Sequence, residues 1–185
     1  MPITKGEGKK VNIVVVQPNV DPYGKFNGDY KRQIRQLLSL ADKAVDSTTD
    51  YLLFPETALT ENLDEGRWKE SYSLDTLKYY IEQHPRLSIV TGAETYKIFK
   101  TNEALTESAH HIDNSAYYAD DYNTAIEINN TGPVEVYHKC KLVPGAEIMP
   151  YQKLFAPLAK LAFDFGGTTG TRHTKGTFGF LLPCF

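Results

Sequence analysis

Val11-Asn12-Ile13-Val14-Val15-Val16-Gln17 is a β-branched run that Pro18-Asn19 stops at once. A short apolar run of this kind predicts a strand buried on both faces, the kind found in sheets covered by helices. Over residues 29–45 the apolar positions Ile34, Leu37, Leu38, Ala41, Ala44 and Val45 follow the spacing of an amphipathic helix. Tyr51-Leu52-Leu53-Phe54 predicts a second buried strand, closed by Pro55. Residues 74–83 read as another helix and residues 87–92 as a third short strand. Residues 122–128 and 134–138 alternate around Asn129-Asn130-Thr131-Gly132, which predicts a hairpin with a glycine-containing loop. Strand, helix, strand, helix, strand and hairpin together predict an α/β fold, a parallel or mixed sheet covered by helices. Residues 11–17, 51–54 and 87–91 are its adjacent strands.

At 185 residues the chain fits one domain, able to bury roughly two thirds of its unfolded surface. Its net charge of −3 gives no basic footprint for nucleic acid. The longest apolar runs, such as Tyr51 to Phe54, fall far short of the ~20 residues that span a bilayer, so the chain as given reads as soluble. Residues 1–10 lack the apolar core of a secretory signal and read as a polar linker. Cys140 and Cys184 make no disulfide framework and stand in no metal-ligand spacing.

Residues 100–121 are polar and contain His110-His111 close to Asp113. Adjacent histidines point apart and no ligand motif surrounds them, so the segment reads as a mobile surface loop rather than a metal site. Residues 151–163 have helical apolar spacing interrupted by Pro157. The run Phe165-Gly166-Gly167-Thr168-Thr169-Gly170-Thr171 lacks the Gly-Lys-Ser/Thr ending of a phosphate loop. It reads as a turn near the active site.

Two charged residues stand at apolar strand ends. Glu56 follows Phe54-Pro55, and groups outside the carboxyl ends of strands line the ligand crevice of open α/β sheets. Lys139 ends the alternating strand in which Val134, Val136 and His138 share one face and Glu135, Tyr137 and Lys139 the other. Glu147 follows in a loop bounded by Pro144-Gly145 and Pro150. A lysine and a glutamate eight residues apart, at a strand end and in a fixed loop, suit a charged site better than a core. Lys141, on the same strand face if the strand continues, is the rival to Lys139.

The segments Phe54-Pro55-Glu56-Thr57-Ala58-Leu59, Tyr137-His138-Lys139 and Leu142-Val143-Pro144 with Glu147 resemble the base- and lysine-bearing segments of the nitrilase superfamily of carbon–nitrogen hydrolases. Val16 to Pro22, Thr91 to Thr95, Tyr122 to Ala125 and Phe165 to Thr171 fall in the same family order. Within the superfamily these segments are most similar to the soluble catalytic domain of bacterial apolipoprotein N-acyltransferases, and the resemblance covers residues 11–171. It implies a nitrilase-like sandwich, a mixed sheet covered by helices, incomplete at the C-terminus, with residues 11–185 as a partial carbon–nitrogen hydrolase domain. It also implies a Glu–Lys–Cys triad without cofactor or metal. Glu56 would take the nucleophile's proton, Lys139 would stabilise the oxyanion, and Glu147 would orient the lysine or the nucleophile. A carboxylate acting as base near neutrality needs its pKa raised by desolvation, and an ammonium beside it meets the charge of an oxyanion.

The family's nucleophile lies in a Cys-Tyr/Phe-Glu pattern at the end of a later strand. Cys184-Phe185 gives its first two positions and lacks the glutamate. Cys184 is thus a nucleophile in a shortened loop, the mark of a truncation, or part of a tail of different origin; Cys140, between two lysines, is read as structural. By resemblance, the activity is transfer of a fatty acyl group from a phospholipid donor, through a cysteine thioester, to the amine of an apolipoprotein acceptor. The setting is the bacterial inner membrane, with the domain facing the periplasm and anchored by segments absent here. A soluble amide or nitrile hydrolase and an inactive fragment are the alternatives, and the chain alone is expected to be weak or inactive.

Overall fold

The computed structural model describes residues 8–19, 29–106 and 108–139. Strand β1 (Ile13–Val15) leads to helix α1 (Tyr30–Ala41), strands β2 (Tyr51–Leu53) and β3 (Leu59–Asp64), and a 3-10 turn (Trp68–Glu70). Helix α2 (Tyr72–Gln83), strands β4 (Ser88–Phe99), β5 (His110–His111), β6 (Tyr118–Ile128) and β7 (Glu135–His138) follow. All the described strands join one mixed sheet in the order β1-β2-β4-β6-β5, with β3 also on β4 and β7 also on β6. β1, β2 and β4 run parallel, as the βα alternation predicts, while β4, β6 and β7 form antiparallel pairs. The fold is α/β, a mixed sheet carrying helices, as expected from the sequence.

Helices α1 and α2 start on side-chain caps. Asp29 accepts a hydrogen bond from the Lys31 amide at the head of α1, and Ser71 accepts one from the Leu74 amide at the head of α2. Glu61 on β3 reinforces the second start by accepting from Ser71 Oγ and from the Tyr72 and Ser73 amides at 2.8–2.9 Å. Ile34 and Leu37 of α1 and Leu74, Leu77 and Ile81 of α2 pack with Leu52, Ile89, Ala93, Ile126 and Ile128 of the sheet. Register puts those sheet residues on one face, and fully burying each large side chain contributes roughly 1.5–3 kcal/mol.

The opposite face is open among the described residues, which corrects the expectation for the first strand. Ile13 and Val15 are 50% and 70% exposed while Val16 is buried. Among the described residues β1 is the last strand on its side of the sheet and the helices cover one face, so its β-branched run is buried on one side. A second correction concerns residues 100–121. His110 and His111 are not in a loop; they form β5, paired with Ala119 and Tyr118 at the start of β6. They remain exposed, and no cluster of metal-ligating side chains occurs among the described residues.

Candidate functional site

The third strand is longer than its apolar run suggests, and this length builds the site. Along its first half β4 pairs with β2, ending at Leu53–Val90; further on it pairs with β3, starting at Leu59–Ala93. Glu56 lies in the link where one neighbour of β4 is exchanged for the next. Gly92 of β4 packs beneath that link and donates its amide to Pro55 O at 3.1 Å. A Cβ on Gly92 would fall 2.4 Å from Thr57 N and 2.6 Å from Glu56 Cα, both backbone atoms, so only glycine fits here. Thr57 itself adopts φ 52°, a left-handed conformation that a β-branched residue rarely takes. Such strain costs of order 1–3 kcal/mol and persists where the surroundings impose it. The Glu56 turn is therefore held in a specific, unfavourable shape.

Lys139 comes from the other side of the sheet, directly after β7. Its amide donates to Asn123 O at 2.8 Å, extending the β6–β7 pairing by one step. By alternation Gly92, Glu94, Asn123, Tyr137 and Lys139 lie on one face. Across that face Lys139 Nζ donates to Glu56 Oε1 at 2.8 Å, and Asn123 Nδ2 donates to the same oxygen at 2.6 Å. The carboxylate is 60% exposed and the lysine side chain 29% exposed. Among the described residues the site supplies pairing and orientation for Glu56 rather than the desolvation a base near neutrality needs.

The structure thus brings together Glu56 and Lys139. Glu147 and Cys184, with Lys141, Cys140 and the run at residues 165–171, lie outside the described residues. Asn123 is the residue of this cluster that the sequence did not single out. No local signal marks it, because β6 also carries Asp120, Asp121, Thr124 and Glu127; Asn123 stands out only once β6 lies against the strand that leads to Lys139. Chemically, a carboxylate held by an amide and an ammonium can accept a proton next to a positive charge, which suits addition to a carbonyl.

No family model matches the chain. Among curated proteins it is similar to apolipoprotein N-acyltransferase of Chlorobaculum tepidum, 28% identical over 167 residues, covering 85% of this chain and 29% of that protein. It is also similar to apolipoprotein N-acyltransferase 1 of Treponema denticola, at 28% identity over 83% of this chain and 29% of the relative. The Treponema pallidum protein of the same name is 27% identical over 79% of the chain and 27% of its own length. The chain therefore spans less than a third of each of these relatives. Among solved structures, a glutamine-dependent NAD+ synthetase from Acinetobacter baumannii in complex with ADP overlays with a TM-score of 0.40 at 13% identity, covering 83% of this chain and 23% of that one. That likeness is too slight to argue from.

Proposed function

We propose that this chain carries the base and the oxyanion stabiliser of an apolipoprotein N-acyltransferase. The observation that supports this reading is the Lys139–Glu56 contact at 2.8 Å, formed by the two residues at which the chain resembles the family's triad. The relatives' shared name supports the same reading.

In this reading Glu56 takes the proton of a cysteine thiol, and Cys184 is the candidate for that cysteine. The sulfur attacks the ester carbonyl of a phospholipid, and Lys139 meets the negative charge that develops on the carbonyl oxygen. The tetrahedral species collapses by breaking the C–O bond. The lysophospholipid alcohol leaves with the proton held by Glu56, and a thioester remains. The N-terminal amine of an apolipoprotein then attacks the thioester, giving an amide and returning the thiol. Glu147 takes the role of orienting the lysine or the nucleophile. The work proceeds at the inner-membrane surface; no helix of the described residues is long and apolar enough to cross a membrane.

An activated acyl ester tests the reading. Incubation should raise the intact mass by one acyl group on Cys184, with no gain in Cys184→Ala and slow gain in Glu56→Gln. A lipopeptide amine should discharge the adduct with formation of an amide. Discharge by water alone, giving the free acid, would favour a carbon–nitrogen hydrolase instead. No cysteine adduct at all, even after long incubation, would favour the inactive-fragment alternative over acyl transfer by this chain.

A further inference from the structure

Behind Lys139, on the helix-covered face, lies a polar cluster that the proposed chemistry does not use. Glu65, the residue after β3, has a side chain only 15% exposed, and its Oε1 lies 2.6 Å from His138 Nε2. The same oxygen accepts from Thr95 Oγ1 at 2.7 Å, and Thr95 shares a second hydrogen bond with Thr124. The His138 ring stacks on Tyr122 with centroids 4.1 Å apart and planes 20° from parallel. Behind this stack, buried Asp120 accepts from Thr106 Oγ1 and Ser108 Oγ at 2.6 and 2.8 Å. The imidazole is gripped at its edge by a carboxylate and on its flat side by a buried phenol.

Stability alone does not call for this arrangement. A half-buried polar pair pays desolvation, and well-packed apolar side chains of similar volume often do as well or better. What the pair adds is direction. β7 ends at His138, and Lys139 is the next residue. In extended chain, successive side chains leave on opposite faces, so fixing residue 138 on the helix side sets where residue 139 projects. A lysine stem carries ~2 kcal/mol of rotamer entropy, and its head reaches a fixed point only if its root is fixed.

We propose that Glu65 and His138 are positioning residues whose contact anchors the end of β7, so that the Lys139 ammonium stays on Glu56. The inference rests on Lys139 being the oxyanion stabiliser, and its test does not need turnover. The full chain is treated with an amine-reactive succinimidyl ester, and the labelling of each lysine is read by peptide mass spectrometry. Lys97, paired with Glu103 at 3.2 Å elsewhere on β4, is the internal reference.

His138→Phe keeps the volume and the stack on Tyr122 and removes the bond to Glu65; Glu65→Ala breaks the contact from the other end. Lys139 labelling should rise several-fold in both while Lys97 stays unchanged. His138→Gln, whose amide can still donate to the carboxylate, should return it towards the original level. Where acyl-enzyme formation is measurable, its rate constant should fall about 10- to 100-fold with KM unchanged. A variant that unfolds raises Lys97 labelling too, and the other variant then decides. Lys139 labelling that stays at the original level in a folded variant, or rises as much in His138→Gln as in His138→Phe, overturns the proposal. Failure of the unaltered chain to form an acyl-enzyme sinks the functional reading instead and leaves the labelling result standing.

Discussion

Lys139 Nζ rests 2.8 Å from Glu56 Oε1, a contact between residues 83 positions apart. It closes across the face of the sheet from the end of β7 to the link between β2 and β3. An exposed ion pair of this kind contributes at most about 1 kcal/mol to stability. Its value is chemical, since it sets an ammonium beside a proton acceptor.

Lys139→Met should therefore leave the melting temperature almost unchanged while slowing acyl-enzyme formation by about 100- to 1000-fold, the usual loss for one oxyanion-stabilising donor. Quench-flow mass spectrometry with an activated ester measures the rate, and calorimetry measures the melt. A large drop in melting temperature with little change in rate would assign the lysine to the fold.

Asn123 comes next. Its side chain donates to Glu56 at 2.6 Å while its carbonyl receives the Lys139 amide at 2.8 Å. Asn123→Ala removes only the first of these, so β6–β7 pairing should survive. The expected result is a loss of roughly ten- to 100-fold in acylation rate, as for misplacement of a reacting group by about 1 Å. Asn123→Asp should be worse, because it sets a second carboxylate against Glu56. Equal rates in the Asp and Ala variants would contradict this account.

The parts of the fold written in local pattern were legible. Helical spacing from Ile34 to Ala41, the apolar run Tyr51 to Phe54 and the alternation leading to Lys139 each gave their element. β3 was not legible. Leu59–Asp64 reads Leu-Thr-Glu-Asn-Leu-Asp, and its pairing on β4 shifts register between Leu59 and Leu63 where Asn62 takes φ 57°. A bulge breaks the period on which strand recognition depends. β1 misled for the reverse reason, because its composition says buried on both faces while Ile13 and Val15 lie on the face left open among the described residues. At the site, Glu56 and Lys139 were visible as charges at strand ends. Asn123 and Gly92 acquire meaning only when β4 and β6 lie side by side.

Glu61 gives a pH dependence. Burial pushes its carboxyl pKa up, but hydrogen bonds from Ser73, Ser71 and Tyr72 outweigh this and hold it below the ordinary carboxylate value. A depressed carboxyl stabilises the fold above its unfolded pKa and loses that contribution as pH falls through the folded one. Glu61→Ala should cost about 1 kcal/mol at neutral pH, in the range of a lost helix cap. In urea titrations the gap between the two proteins should narrow as pH drops below the carboxylate range. A gap constant from neutral to acid pH would show that Glu61 acts through packing instead of charge.

Gly92→Ala tests whether the shape of the Glu56 link is imposed by β4. The new methyl would meet Thr57 N at 2.4 Å and the Glu56 backbone at 2.6 and 2.8 Å, and none of these atoms can rotate away. Either β4 retreats from its partners or the link moves outward, and each costs overpacking energy of about 1–3 kcal/mol. Outward movement of the link carries Glu56 off Lys139 and lets Thr57 relax from its φ of 52°. The expected variant is thus less stable in denaturant by that amount and also impaired in acylation, with Lys139 more open to amine-reactive labelling. Ala125, directly opposite Gly92 on β6 and exposed, supplies the control. Ala125→Ser on the same face should change neither stability nor labelling. A Gly92→Ala protein that keeps full stability would mean that β4 does not hold the Glu56 turn.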